Sequence, residues 1–233
     1  MRKRTERKQL IAYNDPNSPV SEQFKTIRAG IDFSSIDSTF KTILITSPEA
    51  GSGKSTISAN LAVVFAQQGK KTLLIDADLR KPTIHKTFSK NLYTGLSAVL
   101  TDEISLEESY QSTEIDNLFV LTSGAIPPNP NEMLGSKKMA NVLEELQQTF
   151  DLIIIDTSPI TIVSDALVLA PQTDGVILVT RFGSSLKERT KQAVEQIRMT
   201  RAPIIGAVLN GVSERKVIIT IMLINSFGIE NTK

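Results

Sequence analysis

One ten-residue stretch limits this chain more than any other: Ser47-Pro48-Glu49-Ala50-Gly51-Ser52-Gly53-Lys54-Ser55-Thr56. An apolar run, KTILIT (41–46), precedes it and a helical pattern follows, so it lies where a strand turns into a helix. Gly51 and Gly53 lack Cβ, which lets backbone N–H groups come close to an anion. The helix beginning near Lys54 directs its partly positive end at the same place. Lys54 adds a full charge for β- and γ-phosphates. Ser55 offers a hydroxyl to Mg²⁺, and Thr56 is placed for the α-phosphate. The whole loop, Glu49, Ala50 and Ser52 included, reads as an ATP-binding cradle. Pro48 stands where the general GxxxxGK[ST] pattern has glycine.

From Phe40 onward, short Ile/Leu/Val runs alternate with helical patterns. The predicted strands are 41–46, 71–76, 117–122, 151–156, 174–180 and 203–210. Helices are expected near 21–34, 54–69, 95–100, 104–110, 136–149, 163–171 and 185–200. The runs are almost continuously apolar, as strands buried on both faces are. This predicts an α/β fold of the P-loop NTPase type: a mostly parallel central sheet with helices on both faces. Residues 1–20 read as irregular, 21–212 as the nucleotide-binding domain, and 213–233 as a tail of different character.

With 233 residues, one such domain is expected. The absence of Cys excludes disulfides, thiolate metal sites and a Cys nucleophile. His85 is the single histidine, so a multi-histidine metal site is excluded as well, and no role is assigned to it. Net charge is +1, which offers no general attraction to nucleic acid. No apolar run reaches the ~18–20 residues needed to cross a bilayer. The basic start MRKRTERK lacks the apolar core of a secretory signal. It reads either as a solvated tail or as a segment drawn to an anionic membrane face, at ~1 kcal/mol per basic residue.

Two further strand ends carry acids. LLIDADLR places Asp76 and Asp78 where ligands gather in an open parallel sheet. Two apart in extended chain, they face the same side. They can hold Mg²⁺ through water or accept a proton from an attacking hydroxyl; Arg80 is expected to pair with one of them or with phosphate. IIIDTSP places Asp156 in the Walker-B position for magnesium. Three acids and one lysine around Mg-ATP imply phosphoryl chemistry by positioning and charge stabilisation. Asn210 ends the last strand, and reads equally as an adenine-recognising amide or a turn residue.

Together, the PEAGSGKST loop, DADLRKP, IIIDTSP and GAIPPNPNEML (Gly124 to Leu134) resemble the bacterial tyrosine kinases of capsule and exopolysaccharide synthesis. The match is to the free-standing Firmicutes type within the wider Mrp/MinD/ParA-like ATPases. The resemblance runs from about Ser18 to Asn210. It implies catalytic roles for Lys54, Asp76 and Asp78, magnesium at Ser55, Asp76, Asp78 and Asp156, and protein tyrosine as phosphate acceptor. It also implies a cytoplasmic protein held at the inner membrane face by an adaptor's short cytoplasmic segment. Glu22, Lys25 and Arg28 stand at the spacing of the family's ExxRxxR oligomerisation motif, implying a homo-oligomeric ring; the middle Arg is Lys here. MinD- and ParA-type switches carry a second lysine where this chain has Glu49, which favours the kinase branch over a MinD/ParA-like switch. A non-catalytic ATP-binding scaffold is the third reading.

The pattern breaks at the C-terminus. Family members carry a tyrosine cluster there, whereas Tyr13, Tyr93 and Tyr110 are the tyrosines here and the chain ends SERKVIITIMLINSFGIENTK. Val217 to Ile224 reads as a terminal strand or helix, or as a frame-shifted tyrosine cluster. In the second reading Ile218 to Met222 is encoded ATT ATT ACT ATT ATG, which from its third nucleotide reads TAT TAC TAT TAT. Sequencing the gene tests it: codons for Ile218 and Ile219 are expected to end in T, and any other base there removes the frame-shift reading.

Overall fold

A computed structural model describes residues 10–34 and 40–212. The basic start and the tail from residue 213, with its Val217 to Ile224 segment, lie outside the described residues. The central sheet contains β1 (Thr42–Thr46), β2 (Thr72–Asp76), β3 (Tyr110–Ser112), β4 (Leu118–Leu121), β5 (Leu152–Asp156), β6 (Gly175–Arg181) and β7 (Ile204–Asn210). Their order across the sheet is β3-β4-β2-β5-β1-β6-β7. Every pairing is parallel except β3 with β4. The expected α/β architecture is therefore present, and the six anticipated strands are found with their ends shifted by only a few residues. The strand not anticipated is β3. It follows a one-turn helix closed by a capping box between Ser105 and Glu108, and 104–110 reads as one helical run from sequence.

Alternation along the strands divides the core in two. Ile43, Ile45, Leu74, Ile154, Ile177 and Val179 face one layer of helices. Leu44, Leu73, Ile75, Ile153, Ile155 and Leu178 face the other. Both faces are covered, so strand sequences are apolar without a break.

On the first face lies the helix that follows the phosphate loop, Lys54–Ala66, whose residues Ile57 to Ala66 are all buried. A helix apolar on every side needs a cover beyond the sheet. Two helices provide it: Ile11–Asn14 and Pro19–Ser34. Numbered in chain order, these are α1 and α2, and Lys54–Ala66 is α3. Leu10, Ala12, Phe24, Ile27 and Ile31 are buried in this third layer. Where an irregular segment up to residue 20 was expected, α1 occupies 11–14 and α2 opens at Pro19. The turn residues Asn14 to Pro19 join the two helices instead of marking a loose end. Asn60 of α3 makes the attachment: its Oδ1 accepts the Ala12 N–H at 2.9 Å and its Nδ2 donates to the Thr56 carbonyl at 2.8 Å.

α4 (Ile84–Thr87) packs at the margin of the first face, where Ile84 is buried. The second face carries α5 (Leu96–Leu100), α6 (Leu106–Ser109), α7 (Pro130–Leu134), α8 (Lys137–Thr149), α9 (Asp165–Leu169) and α10 (Lys187–Met199). Met139, Val142, Leu143 and Leu146 of α8 and Ala193 and Ile197 of α10 enter the core. No helix among the described residues is long and apolar enough to cross a membrane.

Asn60 is wholly buried, so Asn60→Ala strands the Ala12 N–H and removes a second hydrogen bond. We expect a loss of about 2–3 kcal/mol in denaturant unfolding. A loss below about 0.5 kcal/mol would mean that α1 is not anchored through this amide.

Candidate active site

Strand order assembles the site. At the carboxyl edge of the sheet, β2, β5, β1, β6 and β7 end side by side, each delivering a group to one crevice. They bring, in that order, Asp76, Asp156, the 47–53 loop, Arg181 and Asn210. Asp76 and Asp156 are register partners on adjacent strands, which places two carboxylates abreast.

The loop is built as its glycines require. Gly51 and Gly53 have φ of +79° and +89°, in the left-handed region. A Cβ on Gly53 would lie 2.1 Å from the Asn210 side-chain nitrogen. That nitrogen donates to the Ser52 carbonyl at 2.9 Å, so Asn210 grips the loop directly. Ser47 and Ser52 hydroxyls donate to the Glu49 carbonyl at 2.7 and 3.0 Å. Thr161 donates to the Pro48 carbonyl, and Arg181 Nη1 to the Gly51 carbonyl at 2.9 Å. Ala50 and Thr56 are exposed and Ser55 is half-buried at the mouth of α3. The Glu49 carboxylate accepts the Leu186 N–H at 3.2 Å and lies 3.8 Å from Arg189.

Lys54 reaches 3.3 Å from Asp78 Oδ2. Asp78 Oδ1 accepts the Ser158 hydroxyl at 2.8 Å and the Lys81 N–H at 3.1 Å. Asp76 Oδ2 accepts the N–H groups of Thr83 and Ile84 at 3.0 and 2.9 Å, and Asp156 Oδ1 accepts the Ser58 hydroxyl at 3.0 Å. Asp76 Oδ1 and Asp156 Oδ2 are buried without a hydrogen-bond partner. Buried oxygens left so are costly unless a cation or water meets them.

Burial pushes the Asp76 carboxyl up to about 7, and the Asp156 charge adds to the rise against the pull of the Ile84 and Thr83 amides. Asp156 rises to about 6, chiefly from burial, with Lys54 and the Ser55 and Ser58 hydroxyls pulling it back. Among the described residues no three acidic or imidazole groups converge closely enough to cage a metal alone. The donor set fits Mg²⁺, which keeps several waters and binds one or two carboxylates together with phosphates.

Arg80 departs from expectation. It pairs neither with Asp76 nor with Asp78 but with Asp165, Nε to Oδ2 at 2.7 Å and Nη2 to Oδ1 at 3.1 Å. The Asp165 partner, together with Ser58, Ser158, Thr161 and Arg181, was not legible in the sequence. Each meets a group dozens of residues or more away, and no local pattern announces that meeting. Glu22, Lys25 and Arg28 lie on α2, away from the crevice. Glu22 and Lys25 pair with each other at 2.7 Å, while Arg28 Nη1 donates to the Val64 carbonyl of α3 at 2.9 Å.

The raised carboxyls carry a pH signature. The folded protein holds protons on Asp76 and Asp156 that the unfolded chain, titrating near 3.8, has already released. Their contribution to stability is full below that value and is lost as pH rises through about 6 to 7. In EDTA without nucleotide, we expect Asp76→Asn to melt above the unsubstituted protein at about pH 8, with the gap closing by about pH 5. A gap that is constant across this range would contradict the protonation of this pair.

The AAA domain family model matches residues 40–203. Tyrosine-protein kinase YwqD of Bacillus subtilis (strain 168) is 48% identical over 202 residues, covering 87% of this chain and 85% of that protein. The crystal structure of the chimerical protein CapA2B2 superposes with a TM-score of 0.84 at 44% identity, covering 87% of this chain and 89% of that one. More distantly, the septum site-determining protein MinD of Pyrococcus horikoshii, complexed with Mg-ADP, gives 0.64 at 26% identity over 76% of this chain and 74% of that one. With its strand-end acids and phosphate loop in one crevice, the chain belongs to the bacterial tyrosine kinases, within the AAA-domain P-loop ATPases.

Proposed function

We propose that this protein transfers the γ-phosphate of Mg-ATP to tyrosine hydroxyls of proteins, in support of capsular or exopolysaccharide assembly. The observation that carries the reading is Lys54 paired with Asp78 beside two buried carboxylates, each with one oxygen that lacks a partner. Lys54 and the amides from Glu49 to Thr56 hold the phosphates, with Lys54 exchanging Asp78 for phosphate oxygens. Ser55, Asp76 and Asp156 would hold magnesium. The bound ion supplies charge neutralisation on the transferring phosphoryl group. Asp78 is the acid within reach of a substrate hydroxyl, being 5% exposed where Asp76 and Asp156 are at 0%. Fixed by Ser158 and the Lys81 amide, it accepts the tyrosine proton. Asn210 positions the loop, and its remaining amide oxygen is free for the base.

We place the protein in the cytoplasm, at the inner face of the membrane, through an adaptor's cytoplasmic segment. Three exposed apolar side chains support a docking patch beside the loop: Ile162, Phe182 and Leu186. The chain ties each to the site: Thr161 to Pro48, the Phe182 N–H to Asn210, and the Leu186 N–H to Glu49. The exposed Glu22–Lys25 pair on α2 offers a charged face for a ring of subunits, with Arg28 tying that helix to α3. Glu49 engages α10 of its own chain at the place where switch-type relatives carry their signature lysine, which favours the kinase over the MinD-like reading.

A tyrosine-peptide phosphorylation assay read by mass spectrometry tests this. Lys54→Met is expected to abolish transfer, and Asp78→Asn to lower kcat by about 10²–10⁴-fold with nucleotide affinity within about threefold. Added adaptor segment should stimulate transfer, and Phe182→Ser should remove the stimulation without changing basal activity. Undiminished transfer by Asp78→Asn would rule it out as the base.

A further inference from the structure

The Arg80–Asp165 pair is engaged by none of the steps above, yet the Asp165 side chain is 0% exposed while that of Arg80 is 41% exposed. A carboxylate buried so completely is expensive without a partner, and a two-point arginine contact is the strongest partner available. The contact spans 85 residues and joins two exits from the sheet. Arg80 lies two residues past Asp78 and directly before Lys81, whose N–H holds Asp78 Oδ1. Asp165 opens α9, which the chain reaches after leaving β5 through Ser158, the other group on Asp78 Oδ1. The neighbouring Ser164 hydroxyl accepts Asn131 Nδ2 at 2.9 Å, so α9 is also tied to α7.

We infer that Asp165 is a positioning residue for phosphoryl transfer: through Arg80 it sets the turn that presents Asp78. The clamp acts on both strands of chain that hold the Asp78 carboxylate, the 80–81 turn and the exit from β5. Without it, Lys81 and its amide are free to shift. A displacement of about 1 Å between a base and its hydroxyl is enough to cost roughly 100-fold in rate. The phosphate loop is held by separate contacts from Asn210, Thr161 and Arg181, so nucleotide binding does not depend on the clamp.

The inference rests on the kinase reading, and the experiment separates the two. The full chain and its Asp165→Asn, Arg80→Lys and double variants are compared in tyrosine-peptide transfer, in fluorescent ADP binding and in thermal melting. Asp165→Asn leaves a partly exposed arginine side chain that water can solvate, and Arg80→Lys keeps the charge while losing the two-point contact. We expect kcat to fall roughly 100-fold in each single variant, ADP affinity to stay within about threefold, and the double variant to be no worse than the poorer single. A folded Asp165→Asn with kcat within about threefold of the unsubstituted chain overturns the inference, as does ADP affinity falling in step with kcat. Should Asp165→Asn fail to fold, Arg80→Lys decides by the same criteria. No transfer by the unsubstituted chain would instead defeat the kinase reading, and ATP hydrolysis would then supply the rate for the same comparison.

Discussion

Two carboxylates buried abreast, Asp76 and Asp156, set the terms for everything around them. They sit on adjacent parallel strands at the same register, wholly out of solvent, each with one oxygen left unmatched. Such a pair is unfavourable in an apolar interior, and the chain offsets it only in part, with two amides on one carboxylate and hydroxyls with Lys54 on the other. The crevice is therefore incomplete without a cation or a proton.

The rest of the fold reads as the support this arrangement needs. Parallel strands bring five carboxyl ends to one edge, and their crossover helices cover both faces. The helix behind the phosphate loop is held between the sheet and the α1–α2 layer, so Lys54 and Ser55 project from a rigid mount. Contacts from β5, β6 and β7 exits reach the loop itself through Thr161, Arg181 and Asn210. Preorganised charge in a confined site is worth far more than the same charge in water.

Sequence reading went far with some elements and stopped short with others. The phosphate loop, the three acids and six strands were legible because each is a local pattern: Gly51 and Gly53 before KST, or an apolar run ending in Asp or Asp-Ala-Asp. The helical cover at 11–34 was half legible. Leu10 and Ala12 are buried, but two apolar residues in a short segment do not declare themselves until α3 is seen to need a cover. The strand β3 was hidden behind its own capping box. Arg80 was expected at the phosphates or their carboxylates and was found on Asp165, because a charged residue beside an acidic motif has many possible partners and only packing selects one.

From the order of its residues alone, this chain is determined to be a P-loop α/β protein, with Lys54 at the start of the helix after the loop and Asp76, Asp78 and Asp156 at or just past strand ends. Backbone periodicity and glycine stereochemistry are local properties, and they are written locally. Tertiary structure decided which ends become neighbours. It put β5 between β1 and β2, so that Asp156 meets Asp76 and Lys54 meets Asp78. It also decided that Ser158, Asp165 and Arg181 join them. Those contacts depend on strand order and on helix packing across dozens of residues or more, and no short stretch of sequence carries that information.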